Sequence, residues 1–143
     1  MADEPGVEQL RSILDASRTI AVVGLSSNPE RYSFEVASYM QDHGYRVIPV
    51  NPNETEVLGE RAYPSLLQVP DHVDVVNVFR RPEEAPEIAR QAVSVGATAL
   101  WLQTGIVSEE ARRIAEEGGL VVVMDKCIMV TDRRLRRTDD KEA

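Results

Sequence analysis

The chain has 143 residues, of which 43% are hydrophobic, so it is long enough for one compact domain with an adequate core. Its formal net charge of −8 excludes a general nucleic-acid binder, because phosphate contacts need a basic surface. A single cysteine excludes an internal disulfide, and no apolar run approaches the roughly twenty residues of a membrane span. Since no signal segment is visible at the N-terminus, we expect a cytoplasmic protein without membrane partners.

Five apolar stretches rich in β-branched residues predict strands, and helical patterns alternate with them. The predicted strands are 19–25, 45–50, 73–79, 97–102 and 120–124. The predicted helices are 7–16, 33–43, 82–96 and a fourth that begins at the cap residue Ser108 and stops at Gly118. A short extended piece is expected near 61–63 and a helical turn at 65–68. Residues 1–6 are expected to form a flexible polar arm. The charged tail from 133 is expected to fray, with 136–143 flexible.

Strands that alternate with helices favour an α/β fold, here a single Rossmann-type domain over 1–143 with a doubly wound parallel sheet and helices on both faces. The second predicted strand should lie on one side of the first, and the other three strands on the opposite side. Ligands bind at the carboxyl ends of the strands where this order reverses, between strands one and three. Pro49 is unusual for a central strand of such a sheet.

Three loops at that edge carry the features of an anion site. Gly24 ends the first strand, and small polar residues lead from it to a helix start at Ser33, an arrangement that aims N–H groups and a helix dipole at an anion. The loop after strand three holds Arg80 and Arg81, whose planar guanidinium groups suit phosphate. The loop after strand four holds Gly105, which lets a ligand approach the backbone closely. We therefore predict that a nucleotide-containing cofactor binds here through its phosphates.

The common nucleotide signatures are missing. The dinucleotide fingerprint G-x-G-x-x-G has only its first glycine, Gly24, and Asn51 stands where an NAD site places an acidic residue. No Gly-Lys-Ser or Gly-Lys-Thr is present, so ATP hydrolysis by a P-loop is not expected. An NAD(P)-binding oxidoreductase-type domain stays open as an alternative.

Six short motifs follow one another along the chain. They are Gly24-Leu25-Ser26-Ser27-Asn28-Pro29, Val50-Asn51-Pro52, Gly59 with Tyr63-Pro64, Val78-Phe79-Arg80-Arg81-Pro82, Gln103-Thr104-Gly105-Ile106 and Met124-Asp125-Lys126-Cys127-Ile128. In this order they resemble the small stand-alone CoA-binding proteins, relatives of the N-terminal CoA-binding domain of the succinyl-CoA synthetase alpha subunit. The resemblance spans residues 13–135 approximately.

The resemblance implies a domain that binds coenzyme A, without the synthetase's second domain. Motif by motif, Ser26, Ser27, Asn28 and Pro29 match the loop that holds the CoA phosphates. Asn51 and Pro52 match the segment beside the nucleotide. Val78, Phe79 and Arg80 match the segment that lines the adenine and pantetheine side, and Thr104, Gly105 and Ile106 match the turn near the thiol.

One position departs from the pattern. The synthetase has a lysine where this chain has Glu54, so a phosphate contact is lost there. Arg31, Arg80 or Arg81 is a candidate to replace it.

No catalytic set or metal site is predicted. The synthetase works through a phosphorylated histidine in its second domain, whereas His43 and His72 here lie at a helix end and in a loop. Cys127 follows strand five beside Lys126, but the apolar run around it favours an inert buried thiol. We therefore expect no enzyme activity, and a carrier, sensor or regulatory protein for CoA or an acyl-CoA. A protein partner bound through helix 7–16 or the charged tail is a third hypothesis.

Overall fold

The computed structural model describes residues 4–142, with side chains described through residue 137. The strands are β1 (Thr19–Val23), β2 (Arg46–Val50), β3 (Glu56–Val57), β4 (Glu60–Arg61), β5 (Val75–Val78), β6 (Ala99–Leu102) and β7 (Val121–Val123). The helices are α1 (Val7–Ala16), α2 (Tyr32–Asp42), α3 (Ala85–Ser94), α4 (Glu109–Glu117) and α5 (Ile128–Glu142). Single 3₁₀ turns cover Leu66–Gln68 and Pro82–Glu84. None of these helices is long and apolar enough to cross a membrane.

Five of the strands form one parallel sheet in the order β2-β1-β5-β6-β7. This is the predicted topology, and the strand order reverses between β1 and β5 as expected. The remaining strands, β3 and β4, form a separate antiparallel hairpin that the sequence did not reveal beyond a short extended piece. The fold class predicted from the sequence is therefore confirmed.

Pro49 is accommodated because β2 lies at the edge of the sheet. Its carbonyl accepts a hydrogen bond from Tyr63 N at 3.0 Å, on the side that faces away from β1. The nitrogen of a strand residue points to the same side as its carbonyl, so the missing N–H of Pro49 removes no bond to β1. The proline thus marks an edge strand rather than a defect in a central one.

Helices cover both faces of the sheet and divide the core into two parts. Residues of α1, α2 and the start of α5 pack on one face around Trp101, whose side chain is fully buried. Alanines of α3 and α4 pack on the other face, where small side chains let the two helices approach closely. The indole Nε1 of Trp101 donates to Lys126 O at 2.9 Å, so its one polar atom is satisfied inside the core.

The charged C-terminal stretch is part of a helix, α5, that the sequence did not reveal. Asp132, only 3% exposed, accepts hydrogen bonds from Tyr39 Oη at 2.8 Å, Tyr45 Oη at 3.2 Å and Arg136 Nε at 2.6 Å. Burial, and then the bond to Asp132, raises the pKa of Tyr39 to about 12. One buried carboxylate therefore links α5 to α2 and to the loop before β2. The sequence of α5 is so charged that its apolar periodicity gives little signal for a helix.

The flexibility predicted for residues 1–6 and 136–143 stays a prediction. Residues 1–3 and 143 lie outside the described part of the chain. Glu4 forms an ion pair with Arg112 at 2.6 Å, and the backbone is helical through Glu142.

We expect Asp132→Ala to lower the free energy of unfolding by about 2 kcal/mol, because the buried hydroxyl of Tyr45, the half-buried hydroxyl of Tyr39 and the guanidinium of Arg136 lose their shared acceptor. Asp42→Ala removes the same charge from an exposed position of α2 and should change stability by less than about 0.5 kcal/mol. Urea unfolding followed by far-UV circular dichroism measures both values. Equal effects for the two variants would show that Asp132 does not anchor α5.

Candidate functional site

The loops after β1, β5 and β6 meet at the carboxyl edge of the sheet and enclose a cleft of about 630 Å³, here called the main cleft. Its apolar lining consists of Tyr32, Phe79, Pro82 and Ile106, and its polar lining of Arg80, Arg81, Gln103 and Thr104. The rings of Tyr32 and Phe79 meet edge to face with centroids 6.4 Å apart. The structure therefore brings together residues from three of the loops that the sequence singled out.

A second, more polar cavity of about 470 Å³ opens beside the main cleft and is here called the turn pocket. Tyr32, Phe79 and Arg80 line both cavities, so the two form one continuous surface. The other residues of the turn pocket are Gly24, Ser26, Arg31, Ser33, Asn51, Asn53 and Glu54. An apolar cleft joined to a polar pocket can hold a ligand with one apolar and one charged part.

Gly24 lets the loops after β1 and β5 come into contact. Its φ is +93°, and a Cβ at this position would lie 2.6 Å from Phe79 O. Gly24 N donates to Val50 O and Phe79 N donates to Val23 O, both at 2.8 Å. A side chain here would push the loop after β1 away from the ends of β2 and β5. This close contact explains why the first glycine of the incomplete fingerprint is needed at this position.

Polar side chains fix the turn from Ser26 to Arg31. Ser26 N donates to Ser33 Oγ at 3.1 Å, Asn28 N to Ser26 Oγ at 3.0 Å and Glu30 N to Asn28 Oδ1 at 3.0 Å. The amides of Tyr32 and Ser33 begin α2 and, as at any helix start, have no acceptor within the helix. The amides of Tyr32 and Ser33 are therefore open to an anion, whereas those of Ser26, Asn28 and Glu30 are already bonded within the turn.

Asn51 joins the loop after β2 to the loop after β1. Its Nδ2 donates to Leu25 O and its Oδ1 accepts from Asn53 N, both at 3.0 Å, and the residue is 8% exposed. Glu54 follows, and its Oε2 accepts from Ser27 N at 2.9 Å and from Ser27 Oγ at 3.0 Å. Hydrogen bonds therefore join the segment 51–54, predicted to lie beside a nucleotide, to the turn 25–27, predicted to hold phosphates.

The adjacent arginines occupy different positions. Arg80 lines the main cleft, the turn pocket and a third cavity of about 320 Å³ that Pro52 also lines. Its side chain is 31% exposed, whereas that of Arg81 is 79% exposed and lines the main cleft but neither of the other two cavities. Arg31 is exposed and lines the turn pocket. Arg80 is the cation at the centre of the site.

The remaining candidates lie around this centre. Val78 is fully buried in the core beneath the sheet edge, so it supports the site without facing the main cleft. Gly105 has a φ of +86° and donates its N–H to Asp125 Oδ1 at 2.7 Å, which ties the loop after β6 to the loop after β7. Asn28 and Pro29 are exposed on the turn.

Gln103 and Tyr32 are site residues that the sequence-based selection missed. Gln103 is 2% exposed, and its Oε1 accepts from Asn77 Nδ2 at 3.0 Å and from Ile128 N, at the start of α5, at 3.1 Å. Asn77 Oδ1 and Gln103 Nε2 are buried without a hydrogen-bond partner in the described part of the chain. In the sequence, the only sign of the buried Asn77–Gln103 pair is the amide residue Asn77 inside an otherwise apolar strand.

Cys127 lies beside the main cleft but is covered. It is 6% exposed, and its Sγ is 2.8 Å from Tyr32 Oη. The two residues and Thr104 line a cavity of about 440 Å³ that adjoins the main cleft. Burial, and then the contact with Cys127, raises the pKa of Tyr32 to about 12, so its phenol is neutral near pH 7. The burial predicted for this thiol is present, and its reactivity stays a prediction.

The histidines lie at the opposite, amino-terminal edge of the sheet. His43 caps the end of α2 and stacks on Tyr39 with ring centroids 3.9 Å apart, and His72 contacts Asp74 at 3.2 Å before β5 begins. Among the described residues, no three His, Cys, Asp or Glu side chains cluster in a way that could hold a metal ion. Neither histidine can reach a ligand in the main cleft.

The fold and this edge define a Rossmann-type α/β domain with a nucleotide-sized site, and comparison with known proteins gives the family. A family model described as a CoA binding domain matches residues 18–133. The chain belongs to this family of CoA-binding domains, as the motif order predicted.

Relatives occur both as stand-alone chains and as parts of larger enzymes. The uncharacterized protein YneT of Bacillus subtilis is 45% identical over 126 residues, which are 88% of this chain and 93% of YneT. The alpha subunit of the ADP-forming acetate–CoA ligase II of Pyrococcus furiosus is 29% identical over 134 residues, 85% of this chain but only 29% of the subunit. A solved structure of a hypothetical protein from Pyrococcus horikoshii OT3 superposes with a TM-score of 0.89 at 39% identity, covering 94% of this chain and 99% of that one.

We expect Gly24→Ala to lower the free energy of unfolding by about 3 kcal/mol, because its Cβ would clash with Phe79 O in addition to the strain of a positive φ. Gly44→Ala is the matched control, since Gly44 has a φ of +97° but open space around it. That variant should lose about 1 kcal/mol. Denaturant unfolding of both variants checks the difference, and equal losses would contradict the close contact at Gly24.

Proposed function

We propose that this chain binds coenzyme A or an acyl-CoA at the carboxyl edge of its sheet and performs no chemistry on it. The observation that carries the proposal is the CoA-binding family match together with one arginine, Arg80, that lines both the apolar cleft and the polar pocket. A carrier, sensor or regulatory protein for CoA fits this arrangement. Its cytoplasmic location is part of the same proposal.

The two cavities suit the two halves of CoA. The nucleotide end carries phosphates, which the guanidinium groups of Arg31 and Arg80 and the N-terminus of α2 can bind in the turn pocket. The pantetheine arm is a chain of methylene, methyl and amide groups, which suits the largely apolar main cleft. Thr104 and Gln103 offer polar groups beside that arm.

The lining of the main cleft supports binding without catalysis. Its titratable side chains are Tyr32, Arg80 and Arg81. Tyr32, with its pKa raised to about 12, is not ionised near neutral pH, and arginine stays protonated. A general base would need a group that gains and loses a proton near the working pH, and none of these three does so.

We expect CoA to bind the purified chain with a measurable heat in isothermal titration calorimetry, and NADP to give none under the same conditions. Mass spectrometry under native conditions would identify, by its mass, any ligand that co-purifies with the chain. Tight NADP binding with no response to CoA would replace this proposal by the dinucleotide alternative. Gel filtration with and without CoA would test whether ligand binding changes the association of the chain with a partner.

We expect Arg80→Ala to weaken CoA binding at least tenfold and Arg81→Ala by less than about threefold, since a charge-assisted hydrogen bond contributes about 1.5–3 kcal/mol. The variants remove the same charge one residue apart, so each controls for the other. Titration with dephospho-CoA locates the contact. A smaller loss for that ligand assigns Arg80 to the 3′-phosphate, and an equal loss assigns it to the pyrophosphate. Equal effects of the two variants would contradict the central place of Arg80.

A further inference from the structure

We infer that Glu54 is a built-in competitor for the anion, whose carboxylate occupies the turn after β1 until a ligand phosphate displaces it. One oxygen of Glu54, Oε2, accepts both the backbone N–H and the hydroxyl of Ser27, at 2.9 and 3.0 Å. A phosphate oxygen accepts from the same kinds of donor at the same distances. This inference rests on the proposed binding of CoA.

The position of Glu54 is built by its neighbours. Glu54 N donates to Asn51 O at 3.2 Å, which closes a tight turn over 51–54. Asn51 is itself 8% exposed and bonded through its side-chain amide to Leu25 O. Hydrogen bonds within this turn and to Leu25 O therefore position the carboxylate of Glu54 beside Ser27.

The charges around Glu54 favour displacement over a permanent contact. Glu54 shares the turn pocket with Arg31 and Arg80, yet within the described residues its carboxylate makes no ion pair with either of them at 4 Å or less. Its partners are the neutral N–H and hydroxyl of Ser27, and it is partly exposed, so it can rotate into solvent. A phosphate entering the pocket would meet a like charge at close range, whereas the arginines would still attract it.

Removing the carboxylate should therefore tighten the binding of anions at this turn. Glu54→Ala frees both donors of Ser27, and Glu54→Gln keeps an acceptor for Ser27 N while removing the charge. Glu56→Ala is the matched control, because it removes the same charge from an exposed side chain two residues further along. Far-UV circular dichroism of each variant confirms that it is folded.

By isothermal titration, we expect CoA to bind Glu54→Ala and Glu54→Gln about tenfold more tightly than the unaltered chain, and Glu56→Ala within about twofold of it, since a like charge acts strongly only at close range. The gain should shrink at high salt. An affinity that falls or does not change in Glu54→Ala would overturn the inference. A fall would assign Glu54 a contact with the ligand, such as a ribose hydroxyl.

A second probe separates this inference from the proposed function. Inorganic pyrophosphate is titrated while the ¹⁵N–¹H resonance of Ser27 is followed by NMR. If no form of the chain binds CoA, but pyrophosphate shifts this resonance at lower concentration in Glu54→Ala than in the unaltered chain, the proposed function fails and the competition stands. If pyrophosphate acts equally on both, the competition fails even where CoA binds.

Discussion

The contact between the loops after β1 and β5 is the constraint on which the site depends. Gly24 has no side chain, so the backbone after β1 can lie against Phe79 O while both loops keep their hydrogen bonds to neighbouring strands. That contact brings the start of α2 next to Arg80, whose Cδ lies 3.3 Å from the position of a Cβ on Gly24. Phe79 and Arg80, which lie at this contact, line both the main cleft and the turn pocket.

Most of the fold could be predicted because the signals for it are local. Apolar runs indicated the parallel strands, and the handedness of crossover connections limited the possible strand orders. The order predicted among them is the one that the structure has. The helix over Val7–Ala16 matches its predicted bounds. The long helix α5 was missed because most of its residues are charged and its buried apolar residues lie in its first turn. Asp132 adds hydrogen bonds to two distant tyrosines, but in a sequence this buried carboxylate looks like one more surface charge. The hairpin of β3 and β4 was missed because two-residue strands carry no periodicity.

The sequence predicted where in the fold the site lies better than it predicted which side chains make contacts there. Three loops were placed correctly because the carboxyl ends of parallel strands lie at one edge. The sequence could not rank Arg80 above Arg81, since only tertiary contacts decide which of two adjacent side chains turns inward. It also could not show that Glu54 reaches Ser27, because that bond joins residues 27 positions apart. Gln103 was in a quoted motif, but its role depends on Asn77 and on the start of α5, both distant in the chain.

Two tyrosines of α2 contact α5 through their hydroxyl groups and so fix the two helices relative to each other. Tyr32 and Tyr39 are about two helical turns apart on α2, and their hydroxyls contact Cys127 at the start of α5 and Asp132 one turn later. The first of these tyrosines also lines the main cleft. The beginning of α2 and the start of α5 are therefore linked beside the main cleft, although no described residue of α5 lines the turn pocket. The last helix is in this way joined to the binding edge through a hydroxyl and a thiol rather than through a loop.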